Sequence, residues 1–458
     1  MNVLIISAVL GVVMMFSSFL LKRKAVIRNL AFAGLFILLA SAIIELRGFV
    51  FFNVDTKGMI YFDRFALLLD VIVIFATLVY CLLSARDMER VGMHYAEYFA
   101  LIFFILCGIT LVSSFKSLLI LFLGIEIISI PLYILTGSDK RNLKSNEASL
   151  KYFLLGAFST GLMLMGIALI YGDTGNFATT QMVTTVQAPS VLLVAGVLLM
   201  MFSMAFKVSV APFHFWTPDV YDGAPTVFTS FMATIVKVAV FIAFIRLFDD
   251  AFGKYQNTWQ LWMTIMTAAT LFIGNITAIF QQSVKRMLAY SSIAQAGFMM
   301  LAIYAMNTEA KEGLLYYAAA YSLATIGIFA VLIKMNDYTF DGFNGFAKQH
   351  PLLAVTMTIF LLSLAGIPLT AGFLAKFYML KAGLATDKNL WLMIFAVLMA
   401  AVSVYYYFRV IQAMYFKEVE TPQVIRVTKS FKWLMVSLAS IIILLGVFPN
   451  LLLYWYYF

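Results

Sequence analysis

The sequence predicts an all-α polytopic membrane protein with about fourteen transmembrane helices. Composition, segment length and the placement of charge all point there. The 458-residue chain is 63% hydrophobic and only 12% charged, with a mean hydropathy of +0.97. A soluble domain has too much surface for its volume to hide that much apolar side chain. The apolar residues fall in runs of about 20, enough for one helix to cross a bilayer. Short polar stretches separate the runs, and the Lys and Arg residues gather mostly there.

In chain order the predicted spans are 2–21, 29–46, 62–84, 96–114, 116–136, 148–171 and 189–208, then 226–248, 259–281, 286–306, 312–334, 351–380, 390–416 and 431–454. The first run, Val3 to Leu21, has neither the basic start nor the small-residue cleavage site of a signal peptide, and further spans follow at once. It is expected to be retained as a helix. Helices 7 and 12 are expected to be broken. Lys207 is followed by Pro212 in the seventh, and Gly366-Ile367-Pro368 interrupts the twelfth before Lys376. Proline removes a backbone donor and clashes with the preceding turn.

Paired broken helices mark the transport sites of inverted-repeat folds. Their spacing here predicts two inverted five-helix repeats, helices 4–8 and 9–13. The expected organisation is an N-terminal three-helix segment over 1–94, a first repeat over 95–250, a second over 251–416 and a C-terminal helix over 417–458.

Basic residues set direction. One set of loops holds Lys22, Arg23, Lys24, Arg28, Arg86, Arg90, Lys140, Arg141, Lys144, Lys151, Lys285, Arg286, Lys334, Lys348, Arg409, Lys417, Arg426, Lys429 and Lys432. The other holds Arg47, Lys57, Arg64, Lys116, Arg246, Lys254, Lys311, Lys381 and Lys388. The first set is roughly twice the second, so it is expected on the cytoplasmic side with both termini outside. The net charge of +9 then reflects topology and not a nucleic-acid partner. Cys81 and Cys107 lie in apolar runs and suggest no disulfide framework. His94, His214 and His350 are far apart in sequence, which argues against a bis-His haem or a copper centre. Aromatics near span ends, Tyr405 to Tyr407 and Tyr454 to Phe458, read as interfacial anchors.

Lys207, Lys237 and Lys376 belong to no loop. A charge at mid-membrane costs about 2.5 to 3.5 kcal/mol even on lenient scales, so each is expected to face the protein interior or water. Glu126, within Gly124-Ile125-Glu126-Ile127-Ile128, is deep in the fifth span, and an ion pair with one of the lysines would lower the cost of both. One structural alternative is a set of buried pairs that merely hold helices together. Three lysines and a glutamate without any redox or nucleotide motif favour ion or proton translocation instead. His214, just past the first break, reads equally as a satisfied histidine or a proton relay. Tyr290, Ser291, Ser292 and Gln295 in the tenth span either hold water or bond neighbouring helices, with the second preferred. Asp70, an acid deep in the third span, reads as an interface or lumen residue and receives no role.

The segment Phe206 to Pro225, FKVSVAPFHFWTPDVYDGAP, resembles the signature of the antiporter-like membrane subunits of NADH-quinone oxidoreductase (respiratory complex I). Its HFWTPDVYDGAP portion is similar to the subunit N branch. LGIEIISIPLYIL around Glu126, KRMLAYSSIAQAG from Lys285 and GIPLTAGFLAKFY around Lys376 support it. The resemblance runs from about residue 60 to 415. It implies that Glu126, Lys207, Lys237 and Lys376 carry protons, with His214 as a relay. It further implies a translocase in which this chain is a non-redox subunit with no cofactor of its own. Quinone, FMN and iron–sulfur clusters are expected in partner subunits. The implied partners are a sister antiporter-like subunit, small membrane subunits and the lipid of a bacterial inner (plasma) membrane. The alternative is a subunit of a multisubunit cation/proton antiporter.

Overall fold

The computed structural model describes residues 1–180, 189–386, 388–418 and 425–457. Phe458, read above as part of an aromatic anchor, lies outside them. The described chain is helical throughout, without a β-strand among the described residues. The helices are α1 Asn2–Leu20, α2 Lys24–Leu46, α3 Arg64–Met88, α4 Tyr95–Ser114, α5 Leu118–Thr136, α6 Leu143–Thr174 and α7 Val191–Lys207. They continue with α8 Trp216–Gly223, α9 Thr226–Phe231, α10 Lys237–Asp250, α11 Gln256–Ile279, α12 Val284–Ala305 and α13 Thr308–Leu332. The last are α14 Phe346–Gln349, α15 Pro351–Ala365, α16 Ala371–Leu384, α17 Leu390–Phe416, α18 Lys429–Val447 and α19 Asn450–Tyr457. Among the described residues, 12 segments are long and apolar enough to cross a membrane, and α7 and α15 are shorter apolar helices. The chain is a multi-pass membrane protein.

The chain forms two compact units. The first comprises Met1–Ser209, Gly223–Phe228 and Ile235–Met263; the second comprises Val210–Asp222, Thr229–Thr234 and Thr264–Phe458. Within the first, α4 packs against α1, α3, α5 and α10, while α6 packs against α5 and α7. In the second, α13 is central and meets α12, α15, α16 and α18. Phe19, Leu20, Phe158, Phe416 and Trp433 are strongly exposed. In water such a surface would aggregate; in lipid it is the solvated face.

Several boundaries differ from expectation, each for a local reason. α6 begins at Leu143, because the Asn142 side chain accepts from Lys144 N at 3.0 Å and caps it. Lys144 and Lys151 are therefore helical residues and not loop residues. The last predicted span, 431–454, is two helices: α18 ends at Val447, Phe448 leaves the helical region (φ −124°, ψ 72°), and Pro449 follows. The predicted span 226–248 contains a π-turn over Met232–Val236, immediately before Lys237. Thr234 Oγ1 donates back to Ser230 O at 2.6 Å there, a hydroxyl contact that bends helices. Tyr406 and Tyr407 are fully buried and only Tyr405 of that trio faces outward, since consecutive residues on a helix point about 100° apart.

Outside the spans, His350 joins α15 to the segment before α18: its Nε2 accepts from Ile425 N at 3.2 Å. Burial, and then the Lys432 ammonium, push this imidazole below its ordinary 6.5. A depressed histidine favours the folded state fully above the unfolded value, and that contribution is lost as pH falls through the folded one. Protonated Nε2 has no lone pair to accept with. Measured by hydrogen–deuterium exchange and divided by the intrinsic rate at each pH, the Ile425 amide should therefore be protected above about pH 6.5 and lose that protection as pH falls through the folded value. In His350→Phe the amide should lack this protection throughout.

Candidate functional site

In the first unit the sequence-predicted Glu126 and Lys207 come together through a third residue. α6 and α7 lie close because Gly166 and Gly196 face each other: a Cβ on either would sit 3.0 Å from the other's carbonyl oxygen. Further along, Ser203 Oγ donates to Ser159 O at 2.8 Å, and the two hydroxyls are 3.2 Å apart. This clasp fixes the register one residue from Thr160 and one turn from Lys207. Thr160 Oγ1 donates to Glu126 Oε1 at 2.8 Å. Lys207 Nζ donates to Thr160 Oγ1 at 3.3 Å and to Ser129 Oγ at 3.0 Å. Ser129 is three residues after Glu126, on the same face of α5. The expected direct ion pair is thus replaced by a hydroxyl bridge that accepts from the lysine and donates to the glutamate. Ser129 and Thr160 were not foreseen; the i, i+3 spacing of Glu126 and Ser129 was the available signal.

Lys207 is the last residue of α7, and Ser209, two residues on, has φ +64°. The chain then turns through Pro212. Lys237 is buried (2% exposed) at the start of α10, directly after the π-turn. A π-turn inside an α-helix often marks a functional position.

In the second unit, Lys376 (6% exposed) reaches back across the other break. Its Nζ donates to Ala365 O, in the last turn of α15, at 3.0 Å and lies 4.9 Å from the Phe298 ring centre. The last carbonyls of a helix have no intrahelical donor and carry its negative pole. Gln295 Nε2 serves the adjacent one, Leu364 O, at 2.9 Å, and also donates to Tyr407 OH at 3.1 Å. Tyr317 OH donates to Gln295 Oε1, and Ser291 Oγ meets Tyr407 OH. Ser291 and Gln295 of the tenth span thus bond neighbouring helices, while Ser292 Oγ donates to Ala289 O in its own helix at 2.9 Å. Tyr406 OH donates to Asn275 Oδ1 at 3.0 Å. His214 is buried in this unit with Nδ1 lacking a hydrogen-bond partner.

Other charges were read as loop residues and are buried instead. Arg246 lies within α10, and Lys285 in the first turn of α12, donating to Asp222 O at 2.8 Å. Glu45, which the sequence did not single out, is buried in the last turn of α2. Among the described residues, no three His, Cys, Asp or Glu side chains gather as metal ligands.

The profile of the family described as NADH:quinone oxidoreductase/Mrp antiporter, TM, matches residues 116–403, the stretch holding Glu126 and all three lysines. The chain belongs to this family. Within it, the chain is 38% identical to the NADH-quinone oxidoreductase subunit N of Cytophaga hutchinsonii, over 99% of both chains. It is similar to a chain of respiratory complex I from Thermus thermophilus, at 31% identity and a TM-score of 0.84, covering 98% of each. A chain of the Mrp complex from Dietzia shares the fold, with a TM-score of 0.87 at 18% identity, over 99% of this chain and 96% of that one.

Gly366 is needed twice at the second break of this family member. Its φ is +84°, and a Cβ there would lie 2.9 Å from Lys376 Cδ. Gly366→Ala is expected to cost about 1–2 kcal/mol for the left-handed backbone alone and to dislodge Lys376 from Ala365. Thermal inactivation in native membranes should come earlier and turnover should fall. Gly161→Ala, which meets nothing within 4 Å, should change neither.

Proposed function

We propose that this chain is a proton-translocating membrane subunit of a NADH-quinone oxidoreductase, coupling quinone reduction elsewhere in the complex to proton movement through its buried charges. The observation that carries the reading is the contact of Glu126, Thr160 and Lys207 across three apolar helices. An ammonium and a carboxylate joined by one hydroxyl form a pair whose proton affinity depends on small displacements, because each charge sets the other's protonation. Electron carriers, FMN and iron–sulfur clusters among them, belong to partner subunits in this reading. This chain's own residues only hold and pass protons.

The proposed order begins at Lys207, which takes a proton from the cytoplasmic side while Glu126 is displaced. Lys237 receives it next, after the π-turn, and Lys376 holds it before release outward when the Glu126–Thr160–Lys207 contact re-forms. Both termini face outward in this arrangement. A parallel between the breaks supports equivalent roles for Lys207 and Lys376. Each break carries a buried lysine: Lys207 is the last residue of α7, and Lys376 reaches back to the last turn of α15. Moving one charge against the membrane potential takes about 2.3 kcal/mol per 100 mV, so an external drive is required, and quinone reduction in the partners supplies it.

Lys207→Arg and Lys207→Ala test this in native membranes at equal amounts of assembled complex. Arginine keeps the charge but does not release a proton. Both variants should assemble and lose proton pumping together with quinone-reductase turnover by roughly tenfold, about 1.4 kcal/mol of barrier. Wild-type pumping in Lys207→Arg would show that this lysine carries no proton.

A further inference from the structure

We infer that Asp70 is a second proton-binding site of the first unit, placed at the membrane face where the chain's N-terminus lies and separate from the Glu126–Lys207 contact. Its ligand is a proton. The inference rests on the proton-translocating reading above.

Asp70 lies two turns into α3 and is 1% exposed. Oδ1 accepts from Ser113 Oγ at 3.2 Å, whereas Oδ2 is buried with no hydrogen-bond partner. Buried carboxyl oxygens are ordinarily all answered, and an open one on an acid inside a membrane span marks a functional position by default. The Ser113 hydroxyl has two acceptors for one hydrogen, Asp70 Oδ1 and Thr110 O at 3.0 Å. It can therefore turn from Asp70 to Thr110 O, which leaves Oδ1 free to take a proton.

From Ser113 the polar groups run to the edge of the span. The main-chain carbonyl of Ser113 accepts from Arg246 Nη1 at 2.6 Å. Arg246 holds Asp63 with both terminal nitrogens, at 3.1 and 2.8 Å, and Asp63 is about one-third exposed. Arg246 Nε is 3.5 Å from Asp250, which pairs with Lys116 at 2.8 Å. The charges that act on Asp70 are Glu45 from α2, the α-amino group of Met1 and Arg246 from α10. Asp63 caps the start of α3 and Arg246 lies near the end of α10, so the cluster gathers helix ends at one face. In the proposed topology that face is the outward one. A proton arriving at Asp70 converts the carboxylate to the acid; on release it goes to water entering from the rim where Asp63 and Asp250 are partly exposed, since Arg246 and the Ser113 carbonyl between them neither take nor give up a proton. No bond other than O–H forms or breaks, and water is the carrier on the rim side.

A purely structural Asp70 would need only to accept from Ser113, which an asparagine oxygen does equally well. Asp70→Asn therefore separates the two roles. In native membranes, at equal assembled complex, Asp70→Asn is expected to lower proton pumping by roughly tenfold, and Asp70→Glu to restore much of it. Pumping at the wild-type level in Asp70→Asn would overturn the inference. If Asp70→Asn fails to assemble, Ser113→Ala carries the test, since it removes the hydroxyl and leaves the carbonyl that Arg246 needs. It too should lower pumping severalfold, and wild-type pumping there would overturn the inference. Lys207→Arg measured alongside tells the failures apart. A silent Asp70→Asn beside a defective Lys207→Arg removes only this site, whereas two silent variants remove the proton-translocating reading itself.

Discussion

A charge inside a membrane has no water to answer it, so every ammonium and carboxylate within the spans must be met by a partner the fold supplies. Much of this structure can be understood as the means of supplying those partners. At Lys207 the partners are hydroxyls, and their positions depend on how closely two helices approach. Gly166 and Gly196 let the backbones of α6 and α7 come together, the Ser159–Ser203 clasp fixes their register, and Thr160 is thereby delivered between Glu126 and Lys207. Larger residues at either glycine would move the hydroxyl, and the two charges would have to find each other or face lipid.

The second break meets the same constraint with backbone. Interrupting a helix frees carbonyls that a bilayer cannot solvate, and a lysine is a good answer to them because the helix end is negative. Lys207 ends α7, while Lys376 bends back from α16 to the end of α15 with Gln295 serving the carbonyl beside it. Each lysine is thus held by weak, polar, rearrangeable contacts and not by a tight ion pair. Such contacts suit a group that must change protonation state, since a tightly paired ammonium resists deprotonation. Hydrogen bonds from tyrosine, serine and glutamine stiffen the surroundings of Lys376.

The spans, the broken helices and the three unplaced lysines were legible because hydrophobicity and charge are properties of single residues. What was not legible depends on three-dimensional placement. Thr160 lies 34 residues from Glu126, and an apolar helix with one threonine looks like any other. Arg246 and Lys285 stand near span ends, where a basic residue ordinarily marks a loop; their burial comes from Asp63 in one case and the carbonyl of Asp222 in the other. Tyr406 and Tyr407 had the composition of an interfacial belt but face inward. The π-turn before Lys237 has no sequence mark beyond Ser230 and Thr234. Pro449, by contrast, was an available signal for the end of α18.

In the proposed mechanism the Thr160 hydroxyl couples Glu126 to Lys207. Thr160→Val keeps the shape and removes only the hydroxyl, and Thr160→Ser returns it. Proton pumping and quinone-reductase turnover should be compared for both in native membranes at equal assembled complex. The account predicts that Thr160→Val assembles normally yet loses most of its pumping, and that Thr160→Ser keeps it. Undiminished pumping by Thr160→Val would contradict the account, for the two charges would then communicate without the bridge that the structure places between them.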